Sequence, residues 1–125
     1  MGRAFVERYL SQGYTVRVFN RTQNNVKDLI DNGVIVCNTA DELIELSDTI
    51  ILMVSDADAI SNLLQLDNKQ KDLQGKTILQ MATISPTQSK EIGEVITAYG
   101  GHYLEAPVLG SIPEAKTGTL IIMAG

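Results

Sequence analysis

Tyr14-Thr15-Val16-Arg17-Val18-Phe19-Asn20-Arg21-Thr22 is the stretch on which the reading of this chain turns. Val16 and Val18 alternate with Arg17 and Phe19, the period of a strand whose side chains face opposite sides in turn. The strand stops at Asn20-Arg21-Thr22, three polar residues ahead of a new helical pattern. Ligands of open parallel sheets sit in the crevice at the carboxyl ends of the strands. A guanidinium held there can pair with a phosphate or lie on a flat base. The corner is therefore a candidate nucleotide contact. The plain alternative is an ordinary strand-to-helix turn, with Arg21 in solvent and Thr22 capping the helix.

Working outward, residues 1–10 read as a helix with Phe5, Val6, Tyr9 and Leu10 on one face, closed at Gly13. Beyond the corner, Val26, Leu29 and Ile30 predict a second amphipathic helix ending at Gly33, and residues 34–37 a short strand. Thr39 with Glu42 forms a capping box for a helix through Leu46. Residues 48–54 are nearly all apolar, as expected of a strand covered on both faces. Asp56 or Asp58 caps the next helix, which turns Ile60, Leu63 and Leu64 inward; residues 65–74 read as loop.

Gly75 leads into a strand over 76–81. Ser85-Pro86-Thr87-Gln88 then opens a helix by a capping box and by Pro at its first position. Its inner stripe is Ile92, Val95, Ile96 and Tyr99, and its stop Gly100-Gly101. A strand over 102–105, a third capping box at Ser111–Glu114 and a strand over 119–123 complete the chain. Strands alternating with helices predict an α/β fold, a parallel sheet with helices on both faces.

At 125 residues the chain has room for about one domain, and 44% hydrophobic with 20% charged residues is a globular balance. A net charge of -5 argues against nucleic acid or an anionic membrane as a general partner. Cys37 is the only cysteine and His102 the only histidine, so neither an intrachain disulfide nor a metal site is expected. The longest apolar runs, 49–54 and 120–124, are too short to span a bilayer. A cytoplasmic protein is the expectation.

A dinucleotide-binding fold opens with a strand and a glycine-rich turn whose N–H groups face the pyrophosphate. Gly2 fits the last glycine of such a turn, with the strand and the earlier glycines missing ahead of it. With Arg3-Ala4-Phe5 behind it, Met1-Gly2 resembles the end of the G-x-G-x-M-G turn of the β-hydroxyacid dehydrogenases. That family includes 3-hydroxyisobutyrate dehydrogenase and the tartronate semialdehyde and glyoxylate/succinic semialdehyde reductases. Residues 18–22, Val-Phe-Asn-Arg-Thr, resemble the N-R-T corner of its NADP-preferring members. Met53-Val54-Ser55-Asp56 resembles the strand end beside the adenosine, and Ala82-Thr83-Ile84-Ser85-Pro86 the turn beside the nicotinamide. Residues 105–111, Glu-Ala-Pro-Val-Leu-Gly-Ser, resemble the substrate loop D-A-P-V-S-G-x. Gly118-Thr119-Leu120 and Met123-Ala124-Gly125 resemble the G-T-L-x-x-M-x-G strand behind that loop.

The resemblance implies a Rossmann-like NAD(P)-binding domain over residues 1–125, cut at both ends, without the all-helical domain that follows it in the family. It implies NADP as cofactor, NAD being less favoured, with Gly2, Asn20, Arg21, Thr22, Met53, Val54, Ser55 and Thr83 as contacts. Pro107, Leu109, Gly110 and Ser111 would line the side of a small carbonyl or hydroxy-acid substrate, and a homo-oligomer is compatible with it. The family's proton-donating Lys falls beyond Gly125, so no catalytic residue is assigned. Leu109 stands where the family has a Ser that binds the substrate carboxylate. Either the substrate is less polar, or backbone N–H groups near Gly110 and Ser111 hold it.

Other tempting residues have plainer roles. His102 starts a strand, at the end away from the ligand crevice; Lys116 lies too early to replace the family Lys; Asp56 and Asp58 suit capping. Two functions remain in view: an NADP-dependent oxidoreductase acting by hydride transfer, or a non-catalytic nucleotide-binding or relic fragment. In the strand order 3-2-1-4-5-6 the absent first strand is central. The isolated chain is therefore expected to be unstable, to borrow a strand, or to close the gap by repacking.

Overall fold

A computed structural model describes residues 2–22, 24 and 26–125; Met1, with which the expected helix over 1–10 begins, lies outside the described residues. The chain divides into two compact units, Met1–Leu46 with Gly110–Ile121, and Ser47–Leu109 with Ile122–Gly125.

The first unit starts with helix α1 (Gly2–Ser11) and continues into the short strand β1 (Arg17–Val18), which pairs in parallel with β2 (Ile35–Val36). Val18, Val26, Leu29 and Val34 form its core, against which Val6, Leu10, Val16 and Val36 pack. The segment between the strands is a 3₁₀ helix, Lys27–Asn32, rather than the expected α-helix. The difference has a visible cause. With three residues per turn, Val26 and Leu29 share a face and are buried, while Ile30 rotates off it and is 53% exposed. Gly33 ends the segment in the left-handed region at φ 92, where a side chain would add strain.

Helix α2 (Ala40–Leu46) is capped as expected on one side: the Glu42 N–H donates to Thr39 Oγ1 at 3.1 Å. The Glu42 carboxylate reaches one residue further back, accepting the Asn38 N–H at 2.9 Å. Helix α5 (Ile112–Thr117) belongs to the same unit and packs on α1.

The second unit is built on three parallel strands in the order β3 (Thr49–Leu52), β4 (Thr77–Gln80), β5 (His102–Glu105). The register places Ile50, Ile78 and Tyr103 in one row and Leu52, Gln80 and Glu105 in the next. Because side chains alternate along a strand, both rows face the same side of the sheet. Helix α4 (Pro86–Ala98) packs on β5 and on helix α3 (Ala57–Leu64). The expected covering of β3 on both faces is only half met: Ile50 and Leu52 are buried, Ile51 is half-buried and Thr49 exposed.

Caps follow the sequence closely here. Asp56 Oδ1 accepts the Ala59 N–H at 2.8 Å at the start of α3. Ser85 and Gln88 exchange side chain-to-backbone bonds, both 3.2 Å, at the start of α4. The polar stretch 65–74 is a loop, pinned by buried Leu66 and Leu73 and by the Tyr99 hydroxyl, which donates to the Leu66 carbonyl at 2.7 Å. After β6 (Val108–Leu109) and β7 (Ile121–Ile122), Met123 and Gly125 N–H groups donate to the Pro107 and Glu105 carbonyls. Among the described residues, β1 pairs with β2 alone and β3 with β4 alone.

Candidate functional site

In each unit some of the sequence-predicted residues follow the carboxyl ends of parallel strands, whereas Gly2 opens a helix and Gly110 and Ser111 follow β6. In the first unit, Phe19-Asn20-Arg21-Thr22 leaves β1. Asn20 Oδ1 accepts the Thr22 N–H at 3.0 Å, a local turn closed by the side chain itself. That bond fixes the backbone around Arg21, whose side chain is exposed. Thr22 is exposed too, and its N–H is taken by Asn20.

Gly2 is the first residue of α1, a ten-residue helix with no acidic side chain in its first turn. Such an N-terminus carries partial positive charge and unpaired N–H groups. The neighbouring Arg3 reaches the segment that follows the corner: its Nη1 and Nη2 each donate to a carboxylate oxygen of Asp28 at 2.9 Å. This fork-on-fork pair holds the Asp28 carboxyl below the usual carboxylate range, the hydrogen bond from Arg3 being the main cause. Sequence reading missed it, because partners 25 residues apart leave no local spacing to recognise. Cys37 is buried, and that burial pushes its thiol up, which makes it a poor nucleophile.

Gly110 and Ser111 also lie in the first unit. Gly110 has φ 133, and a Cβ there would come within 2.5 Å of Leu120 Cδ2, so the bare backbone is needed. Ser111 gives both its hydroxyl and its N–H to the Glu114 carboxylate, and these bonds hold Glu114 below its usual range, the hydroxyl contributing most.

In the second unit, the register brings three strand ends to one edge, at Leu52, Gln80 and Glu105. Met53, Val54 and Ser55 leave the first; Thr83 follows the second; Pro107 and Leu109 follow the third. Thr83 is exposed directly after buried Met81 and Ala82, so its hydroxyl stands at the surface of the edge. Leu109 is 53% exposed, one of several large apolar side chains at the surface. His102 is exposed at the opposite end of β5, and Lys116 is exposed on α5. Among the described residues no group of three or more metal-ligating side chains occurs, and no helix is long and apolar enough to cross a membrane.

Sequence reading also missed a partly buried polar chain at this edge. Ser89, 4% exposed on α4, donates its hydroxyl proton to Glu105 Oε2 at 2.9 Å and lies 2.8 Å from the Tyr103 hydroxyl. Gln80, in register with Glu105, is fully buried with no hydrogen-bond partner on its amide.

Comparison with known proteins shows what the chain as a whole is similar to. The chain is 37% identical over 132 aligned residues to the cytokine-like nuclear factor N-PAC of Drosophila pseudoobscura pseudoobscura, covering 100% of this chain and 21% of that protein. It is 35% identical over 126 residues to glyoxylate/succinic semialdehyde reductase 1 of Arabidopsis thaliana, covering 99% and 44%. A solved structure of the reductive aminase from Aspergillus terreus, in complex with NADPH4, cyclohexanone and allyl amine, superimposes with a TM-score of 0.91. Its identity is 26%, over 99% of this chain and 43% of that one. The chain thus spans less than half the length of each of these proteins. Residues 1–125 match throughout the family described as the NAD binding domain of 6-phosphogluconate dehydrogenase, and to that family the chain belongs.

Proposed function

We propose that residues 1–125 act as the NADP-binding domain of an oxidoreductase of the 3-hydroxyacid dehydrogenase kind. The substrate would be a small aldehyde, keto acid or hydroxy acid, in the cytoplasm, handled by a single chain or a homo-oligomer. The observation that carries this reading is the corner after β1. A side-chain-closed turn presents an exposed guanidinium at the carboxyl end of a parallel strand pair, within a family defined by binding a dinucleotide.

The residues suit such a cofactor. Arg21 would pair with the 2′-phosphate, Asn20 and Thr22 assisting; a planar, permanently charged fork matches that group. Gly2, at a helix N-terminus free of acidic neighbours in its first turn, would support the pyrophosphate. Met53, Val54 and Ser55 would flank the adenosine side, and the exposed Thr83 hydroxyl the nicotinamide side. Pro107, Leu109, Gly110 and Ser111 would line the substrate. With Ser111 already engaged by Glu114, an exposed Leu109 favours a substrate with an apolar portion there. When bound, the cofactor supplies the hydride; the protein orients it.

The test is Arg21→Ala. Loss of a charge-assisted pair of about 1.5–3 kcal/mol should weaken NADPH binding by roughly 10- to 100-fold and leave NADH within twofold. Nicotinamide fluorescence measures both. Equal losses for the two nucleotides would remove Arg21 from the phosphate. A second reading, nucleotide binding without catalysis, draws support from the Drosophila relative, whose name is that of a nuclear factor. NADPH binding without turnover of any carbonyl in the longer protein would favour it.

A further inference from the structure

We propose that Ser89 and Tyr103 are positioning residues that act through Glu105 to hold the substrate-side segment Pro107–Leu109 at the carboxyl edge of the second unit's sheet. The proposal rests on reading that segment as the substrate side.

The chain of hydrogen bonds has a defined direction. Ser89 has one hydroxyl proton and gives it to the Glu105 carboxylate, which only accepts. The 2.8 Å contact with Tyr103 is therefore made by the phenol proton, donated to Ser89 Oγ. Tyr103 and Glu105 are two apart on β5 and share its inner face, while Ser89 and Gly93 are four apart on α4 and share one helical face. Gly93 completes the fit, because a Cβ there would lie 2.9 Å from Tyr103 Cδ1, so the ring lies directly on the helix backbone. Two hydroxyl side chains from two elements thus form a relay, Tyr103 to Ser89 to the Glu105 carboxylate.

That arrangement is expensive if only packing is at stake. Ala at 89 and Phe at 103 would fill the same space without burying hydroxyl groups, whose desolvation a hydrogen bond only partly offsets. What the polar chain adds is an orientation for Glu105. Glu105 is the last residue of β5. Ala106 follows, 2% exposed, with its N–H on the Gln80 carbonyl at 2.8 Å, and then Pro107, whose fixed φ carries the direction onward. The same helix α4 opens just after Thr83, through the Ser85 cap. Ser89 therefore ties the end of β5 to the first turns of the helix behind Thr83, setting the loop's position against that turn.

The test uses Ser89→Ala and Tyr103→Phe in this chain, the second variant keeping the ring on Gly93. Amide exchange is read residue by residue, and glyoxylate is titrated in the presence of NADP+. With the cofactor oxidised, glyoxylate cannot be reduced during the titration, and the absence of NADPH formation is checked by absorbance. The expected result is about tenfold faster exchange at Ala106, Val108 and Leu109, equivalent to ~1.4 kcal/mol, with α3 unchanged. Glyoxylate affinity should fall about tenfold while NADP+ affinity stays within twofold. Unchanged exchange at 106–109 in both variants, or acceleration spread equally over α3, would overturn the positioning role. If the unsubstituted chain binds no NADP+, the cofactor reading falls by itself. Loop exchange that still responds to both substitutions then upholds the tie, and loop exchange that does not overturns it.

Discussion

Replacing Ile78 by Ala is expected to remove about 3 kcal/mol of stability from the second unit, in the usual range for deleting a buried aliphatic side chain. Ile78 is fully buried on β4, the middle strand, between Ile50 of β3 and Tyr103 of β5 in the same row. The hydrogen-bonded ladders on both sides keep those strands at fixed spacing, so the space left by the side chain cannot collapse. Its cost is then lost transfer energy plus an unfilled cavity. Against a typical total of about 5–15 kcal/mol, that shift should lower the urea midpoint markedly with little change in slope. A loss below about 1 kcal/mol would mean that the row is not packed as described, since even Ile→Val in a core costs that much.

Gly101→Ala should have the second-largest effect, of opposite origin. Its backbone is not in the left-handed region, so the cost is steric. The new Cβ would sit 2.9 Å from Ile96 Cγ2 and 3.1 Å from Leu73 Cβ. Both neighbours are fully buried, Ile96 on α4 and Leu73 in the loop that donates its N–H to the Tyr99 carbonyl at 2.9 Å. Neither can withdraw without disturbing the other. Overpacking of this kind costs about 1–3 kcal/mol, and one methyl group suffices. A melt indistinguishable from the unsubstituted chain would show that the loop yields freely, and would remove Leu73 from the core.

What could be read from the sequence was whatever is decided within a few residues. Capping at Ser85 and Asp56 depends on side chains three residues from their N–H partners, and both form. The Asn20-Arg21-Thr22 corner is equally local, since its closing bond spans two residues. Ile30 went the other way because apolar residues at 26, 29 and 30 fit two helices of different pitch. Core packing around Leu29 selected the tighter one. The Tyr103–Ser89–Glu105 chain was invisible for a different reason. Its members are brought together by the register of β5 and the seating of α4, and Ser89 in isolation reads as one more polar residue in a helix. The same holds for Gln80, whose burial follows from its place on the middle strand.

The most direct test of the central claim is parallel titration of this chain with NADPH and NADH, followed by nicotinamide fluorescence and thermal shift. If Arg21 pairs with the 2′-phosphate as proposed, NADPH should bind at micromolar concentration, clearly tighter than NADH, which lacks that phosphate. Equal affinity for the two, tighter NADH, or binding of neither would contradict it.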